Sequence, residues 1–301
     1  MVSRVLKYKL GPVFFLCALL VGITAGGPMA QAEQVGVTIS GDVTEDDIGI
    51  VGATVGVYDV DNLAKAEVLT GQNGEFLLEF DVEIGETEDA VWLYPGVQKD
   101  DPADYVITYG PFAAISKSDD PVNITDVELS LFTKALVAGI IAEVNTEAGA
   151  EDVDPNLGLV AGVVEIEIDD PQGGDDIVSL AGATITWTDL DGGTVNAELI
   201  YFGEDPEEAG EPGAPDSSLT ATSGCGAFLI YNIVLDGDDE RDLILTATKS
   251  GYTIPPVRVR AFPYSDNKIT FASFTGAEGG AAPAGDGGGG GGGCFISTAE
   301  R

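Results

Sequence analysis

From Gln34 onward, apolar and polar residues alternate in short runs separated by turn formers. Val35, Val37 and Ile39 alternate before Gly41, and Val51, Ala53, Val55 and Val57 alternate after it. A period of two is that of a strand with one buried face. Phe76, Leu78 and Phe80 repeat the spacing after Asn73-Gly74, a pair that favours a tight hairpin turn because both central positions tolerate positive φ. Further strands are predicted over 90–94, 105–109 and 122–132, then over 159–168, 182–187, 243–248, 258–262 and 268–274. No long amphipathic helix is predicted. Ala135 to Ala142 suits either a strand or one short helix, and 147–156 reads as an acidic loop. Many short strands with turn signals between them argue for an all-β chain of two tandem β-sandwiches.

The pattern also repeats. Thr70-Gly71-Gln72-Asn73-Gly74-Glu75-Phe76-Leu77 has a counterpart in Thr222-Ser223-Gly224-Cys225-Gly226-Ala227-Phe228-Leu229, and a Gly-Ala-Thr precedes each copy, at 52–54 and 182–184. The spacing between the two signals grows from 18 residues to 40. Gly203 to Ser218, rich in Glu, Pro and Gly, supplies most of that length and is expected to be an exposed loop. The predicted divisions are a first sandwich over 33–134, a connector over 135–157 and a second sandwich over 158–275. After Thr275 the composition collapses to Gly, Ala and Pro, with seven glycines at 287–293. Residues 276–301 are therefore expected to be a disordered, Gly-rich tail, since such chain has no core to form.

The first 32 residues look different. Arg4, Lys7 and Lys9 precede the apolar run Val13 to Ile23 and the small-residue pattern Ala30-Gln31-Ala32. That order is the order of a secretory signal peptide. Its apolar run has eleven residues, too few for a membrane span. Cys17, with Phe14, Phe15 and Leu16 before it, reads as part of the discarded segment. The mature chain then starts at Glu33 and holds 269 of the 301 residues. Three of thirteen basic residues leave with the leader and none of the fifty-one acidic ones, so ten remain against fifty-one, a net charge of −41. Such a surface repels nucleic acid and anionic lipid and favours solubility. No run in the mature chain reaches membrane-spanning length. Only Cys225 and Cys294 remain in it, so packed cores rather than a disulfide framework must hold the fold.

The Gly-containing first strand, the Gly-Ala-Thr strand, the threonine turn into Gly-x-Phe and the later Gly251-Tyr252 together resemble the carboxypeptidase regulatory-like domain. The resemblance covers nearly all of 35–275 in two copies. It implies immunoglobulin-like or prealbumin-like sandwiches of the carbohydrate-binding-like group. Gly251-Tyr252 occurs only in the second copy, and the first offers Tyr105 without the glycine. The glycine run into Cys294-Phe295-Ile296-Ser297-Thr298-Ala299 is similar to the CFI-box element of exported bacterial proteins, which implies display at the cell surface. Only Glu300 and Arg301 follow it here.

The chain has no histidine. That excludes Ser-His-Asp and Cys-His catalysis and the His-ligated zinc of a metallocarboxypeptidase catalytic domain. Close carboxylate pairs arise by chance among fifty-one acids, so no glycosidase pair is singled out. Asp59 and Asp61 match Asp189 and Asp191 in the repeat, and Asp236 with Asp238 adds a third acidic turn. Ca²⁺ takes six to eight oxygens, and such turns supply them. The same residues are also ordinary turn formers. No other cofactor is expected. Cys225 reads as a small buried or half-buried thiol, since no cation lies nearby in sequence to activate it. Cys294 stands on a flexible tether, open either to modification or pairing or to remaining an unmodified tail residue. Trp92, Tyr94, Trp187, Tyr201 and Tyr231 are available to stack on a sugar. The function expected is that of a non-enzymatic structural or binding module, exported and displayed at the bacterial cell surface or outside it. The alternative is a carbohydrate-binding or adhesion protein, with Ca²⁺ assisting. The partner expected is a cell-envelope component, an extracellular protein or a glycan.

Overall fold

The computed structural model describes residues 32–45, 48–85, 87–99, 104–169, 175–206, 210–236 and 240–278. Residues 1–31 of the predicted leader, Asp238, and residues 279–301 of the predicted tail with Cys294 lie outside the described residues. The chain is all-β and is built from two sandwiches.

The first sandwich uses β1 (Glu33–Glu45), β2 (Ile48–Gly49), β3 (Ala53–Asp59), β4 (Ala64–Leu69) and β5 (Glu75–Ile84). It continues with β6 (Ala90–Lys99), β7 (Ile107–Tyr109), β8 (Ala113–Ser116) and β9 (Val122–Ser130). One sheet has β1 at its centre, antiparallel to β5 and parallel to β9, with β2 closing one end. The other runs β4–β3–β6, with β7 and β8 both paired to β6. The alternating positions meet between them, among them Val35, Val37, Val55, Val57, Phe76, Leu78, Ile115 and Leu129. Alternation along β1 and β5 thus becomes one buried face per sheet.

The second sandwich follows a helix, α1 (Lys134–Thr146). Its strands are β10 (Gly158–Asp169), β11 (Asp175–Ser179), β12 (Thr184–Thr188), β13 (Glu198–Glu204) and β14 (Pro212–Asp216). They end with β15 (Ala227–Ile233), β16 (Arg241–Thr248), β17 (Tyr252–Thr253), β18 (Val257–Pro263) and β19 (Lys268–Glu278). As β1 does between β5 and β9, β10 lies between an antiparallel β15 and a parallel β19. The opposite layer is β12–β16–β18. Val160, Val164, Phe228, Ile230, Leu243, Leu245 and Phe274 fill the space between.

The repeat is a repeat of hydrogen bonds. Ala53 N donates to Thr70 Oγ1 at 2.9 Å, and the Thr70 hydroxyl donates to Ile50 O at 2.5 Å. Ala183 N donates to Thr222 Oγ1 at 2.9 Å, and the Thr222 hydroxyl donates to Leu180 O at 2.6 Å. Each threonine is buried and clamps the chain on either side of its Gly-Ala pair. Gly74 and Gly226 complete the clamp with φ of +86° and +68°. A Cβ on Gly74 would lie 2.3 Å from Val43 O, and one on Gly226 2.4 Å from Val164 O, so only glycine fits.

Three sequence expectations are corrected, and one left open between strand and helix is decided. Asn73-Gly74 does not close a hairpin: β4 pairs with β3 and β5 with β1, so the turn carries the chain from one sheet to the other. Only Gly74 of that pair has positive φ. The stretch from Ala135 belongs to a helix, started by Leu136 N donating to the Thr133 side chain at 3.1 Å. Val137 and Val144, seven residues apart, face the sheet and are buried, which is a helical and not a strand period. Gly203 to Ser218 is no bare loop, because β13 and β14 form a hairpin that extends the sheet from β15. The last strand also runs to Glu278, past the composition change at Thr275, with β17 paired to its end.

The two sandwiches are not joined by a free connector. β19 pairs in parallel with β7 of the first sandwich, Lys268 with Ile107 and Thr270 with Tyr109, so one sheet runs through both. The described residues cluster as one compact unit.

Candidate functional site

The densest polar cluster lies where the sandwiches meet. In β18, Val257, Val259 and Ala261 face the second core, and the period of two turns Arg258 and Arg260 toward the first sandwich. Arg260 is only 5% exposed. Its Nε donates to Asp242 Oδ1 at 2.6 Å, Nη1 to Asn62 Oδ1 at 2.9 Å and Nη2 to Val60 O at 2.9 Å. Nη1 also lies 3.2 Å from Glu240 Oε1. Arg258 takes the other oxygen of Asp242 at 2.5 Å and stacks 4.5 Å from the Phe112 ring. Tyr94 donates its hydroxyl to Asn62 Oδ1 and packs 4.7 Å from Phe112, while Tyr109 meets Phe262 at 4.6 Å.

The charges in this junction are matched. Burial disfavours the cation of Arg260, but its hydrogen bond to Asp242 and the nearby Glu240 outweigh that and raise its pKa. Burial pushes the Tyr94 hydroxyl up to about 12, keeping it a neutral donor. The geometry is that of a fastening. The three guanidinium nitrogens of Arg260 hold a carboxylate, an amide and a backbone carbonyl across two domains.

The predicted acidic turns have a shared architecture. Asp61 N and Leu63 N donate to Asp59 Oδ1, both at 2.9 Å, and Asp191 N and Gly193 N donate to Asp189 Oδ1 at 3.1 and 2.6 Å. Each first aspartate therefore caps its own turn. Its other oxygen meets a cation, Lys65 at 2.6 Å for Asp59 and Arg241 at 3.7 Å for Asp189. Burial works against the Asp59 charge, but the hydrogen bonds from Lys65, Leu63 and Asp61 hold its pKa below the ordinary value. Asp61 and Asp191 point to solvent, and Asp236 pairs with Arg241 at 3.3 Å. Among the described residues no three Asp, Glu or Cys side chains converge as a metal site.

The predicted aromatics are occupied elsewhere. Tyr94, Tyr201 and Tyr231 are buried, Trp92 lies 5.1 Å from the Arg258 guanidinium, and Trp187 donates to Val195 O at 3.0 Å. They do not share an open face. Cys225 is buried beside Ser223 Oγ at 3.1 Å.

A cleft of about 280 Å³ opens beside the junction, which the sequence did not reveal. Thr108 and Tyr109 of β7, Asp126 and Glu128 of β9, Glu165 of β10 and Ser273 of β19 contribute to its lining. Ser273 donates to Glu165 Oε2 at 3.2 Å. Burial raises the Glu165 pKa; the Ser273 hydrogen bond opposes this and Glu128 adds to it. Asp126 and Tyr109 are the other titratable groups in the lining.

A carboxyl whose folded pKa is raised contributes stability below its unfolded pKa and loses it as pH rises through the folded one. Glu165→Gln is therefore expected to raise the urea midpoint at pH 7 and to lose that advantage near about pH 4. Urea unfolding at both pH values checks this, and an equal offset at the two would contradict it.

No protein-family model matches the sequence, and no curated protein matches it. Solved structures that align with the chain include the Bacillus anthracis TIE protein, at 12% identity and a TM-score of 0.24. That alignment covers 80% of this chain and 34% of the TIE chain, so this chain spans about a third of that protein. The minor pilin GBS52 of Streptococcus agalactiae aligns at 13% identity and a TM-score of 0.27, covering 84% of this chain and 99% of its own. The shaft pilin SpaA of Lactobacillus rhamnosus GG aligns at 12% identity and a TM-score of 0.22, covering 83% and 100%. Likeness at this level carries no argument about function.

Proposed function

We propose that this chain is a non-enzymatic exported module whose two sandwiches act as one rigid structural unit at the cell surface. The observation that carries the reading is the junction. Domains strung for flexibility meet through small polar contacts on exposed linkers. Here a shared sheet, stacked aromatics and a buried arginine network join them. The rest of the reading draws on residue patterns: a leader-like start, an acidic solubilising surface, no histidine, and a Gly-rich stretch suited to spacing the unit from an attachment point. Among the described residues no helix is long and apolar enough to cross a membrane. The resemblances to carboxypeptidase regulatory-like domains and to the CFI-box element agree with this reading. The partner is then a component of the cell envelope, reached through the tail.

Two measurements test it. Protein recovered from a bacterial host should begin at Glu33 and be removed from intact cells by external protease. Precursor retained inside with residues 1–32 attached would overturn export. Spin labels at Glu79→Cys and Glu211→Cys, one on each sandwich, in a chain carrying Cys225→Ala and Cys294→Ser, should give one narrow distance distribution. A broad distribution would overturn the rigid unit.

A further inference from the structure

The cleft beside the junction is a trough between an open strand edge and a sheet face. Residues 126–130 of β9 all line it, although Val127 and Leu129 send their side chains into the first core. A strand that lines a cleft with every residue presents its backbone edge and not one of its faces. Among the described residues β9 pairs only with β1, so its edge away from β1 is open. Leu131 N donates to Thr44 O at 2.8 Å, and alternation then turns the backbone groups of Val127 and Leu129 toward β1 as well. The N–H and C=O groups of Glu128 and Ser130 therefore face the trough. Upstream, the register shift beside Asp126, whose φ is +59°, breaks the edge and limits the stretch open to pairing. The opposite wall is the outer face of the second sandwich, with Val163 of β10, Phe271, Ser273 and Thr275 of β19 and Ile177 of β11. Ile177 is 56% exposed there. An extended segment docks where it finds backbone partners on one side and a surface for its alternate side chains on the other.

We propose that residues 294–299 of the same chain dock in this trough as a strand added to β9. The path of β19 places them there: Thr275 lines the trough, and the strand ends at Glu278, about 10 Å further on. Fifteen residues, 279–293, mostly glycine, then lead to Cys294. A flexible tether of that length spans about 20–23 Å on average, enough to turn back over the trough. It holds the segment there at an effective concentration on the order of millimolar, which a free partner rarely reaches. The composition fits an added strand, since Phe295, Ile296 and Thr298 favour extended backbone and neither Pro nor Gly interrupts 294–299. These six residues also carry no acid, in a chain that has fifty-one. Asp126, Glu128 and Glu165 around the trough would repel an acidic strand, and this one is spared. Alternation turns either Phe295 and Ser297 or Ile296 and Thr298 onto Val163, Phe271 and Ile177. Docking draws the tether across the molecule and so shortens the reach from the rigid unit to an attachment point.

Amide hydrogen exchange of the full chain, resolved residue by residue by NMR, tests the docking. The amides of Glu128 and Ser130 are expected to exchange slowly in the native chain, although no strand of the described fold pairs with them. Phe295→Pro with Ile296→Pro removes a backbone donor in either register of the added strand, and should speed both amides at least about tenfold. Phe295→Asp with Ile296→Asp should do the same by charge. Val127 and Leu129, bonded to β1, should change by less than about twofold in both variants and serve as internal controls. Protection that survives dilution identifies the chain's own tail. Protection that is lost on dilution marks the tail of a second copy and would overturn docking within one chain. Fast exchange at Glu128 and Ser130 in the native chain, or slow exchange there in both variants, would overturn the added strand altogether. A melting curve for each variant separates lost docking from lost folding.

Discussion

Arg260→Met is expected to lower the unfolding free energy by about 3–5 kcal/mol, the range for removing one partner from a buried ion pair. Methionine keeps an apolar stem between Tyr94 and Phe112, so the loss reports the guanidinium and not a cavity. Without it Asp242 keeps Arg258 and Asn62 Oδ1 keeps Tyr94, but Val60 O loses its donor and Glu240 its near cation. Urea unfolding followed by near-ultraviolet circular dichroism reads the loss. Because the network fastens two cores, the variant should also separate into two transitions where the native chain shows one. Arg260→Lys should recover little, since a point charge cannot reach a carboxylate, an amide and a carbonyl together. A loss below about 1 kcal/mol would place the fastening in the aromatic contacts and the shared sheet instead.

Thr222→Val should be comparably severe despite its nearly unchanged shape. The hydroxyl accepts from Ala183 N and donates to Leu180 O, both buried. Each backbone group left unpaired costs about 1–3 kcal/mol, so the variant is expected to lose roughly 2–6 kcal/mol. Thr222→Ser keeps the hydroxyl and should cost about 1 kcal/mol, the loss of one buried methyl. Thr70→Val should repeat the result in the first sandwich, where the same two bonds are made. Denaturant midpoints of the four proteins, native chain included, check the order. If valine and serine proved equivalent at position 222, the clamp would be packing alone.

Much of the fold was legible because local rules produce it. The period of two in β1, β3 and β5 places their cores, and the matched Thr-turn-Gly-x-Phe segments became matched clamps. The turn chemistry of Asp59 and Asp189 was also readable, since an aspartate that caps its own turn needs only its neighbours. The junction was less visible. Arg258 and Arg260 alternate with apolar residues in β18, an arrangement that a solvent-facing strand would share. Only the arrival of Phe112, whose N donates to Arg258 O at 2.8 Å, makes that face an interior. The cleft was invisible, because Thr108, Glu128 and Glu165 come from three distant segments and none is unusual alone.

The two copies of Phe-Leu show where local information ends. Phe76 and Phe228 are both buried, as alternation from the clamp requires. The leucines that follow differ: Leu77 is 54% exposed and Leu229 is 2% exposed. Alternation sends both leucines to the outer face of their sheet, and the sequence of each strand determines that much. Whether an outer face meets water depends on what long-range packing lays over it. α1 brings Val137 and Val144 onto the second sandwich, where they join Ile200, Phe202, Leu229 and Tyr231 in a further core. Over β5 no such layer contains Leu77, and its strand alternates with exposed acids instead. The pattern along the chain decides which side of a strand each residue takes, because the pleat is local. Which sides are buried, and which meet across the two sandwiches, is decided by tertiary packing, because burial is a property of the neighbours.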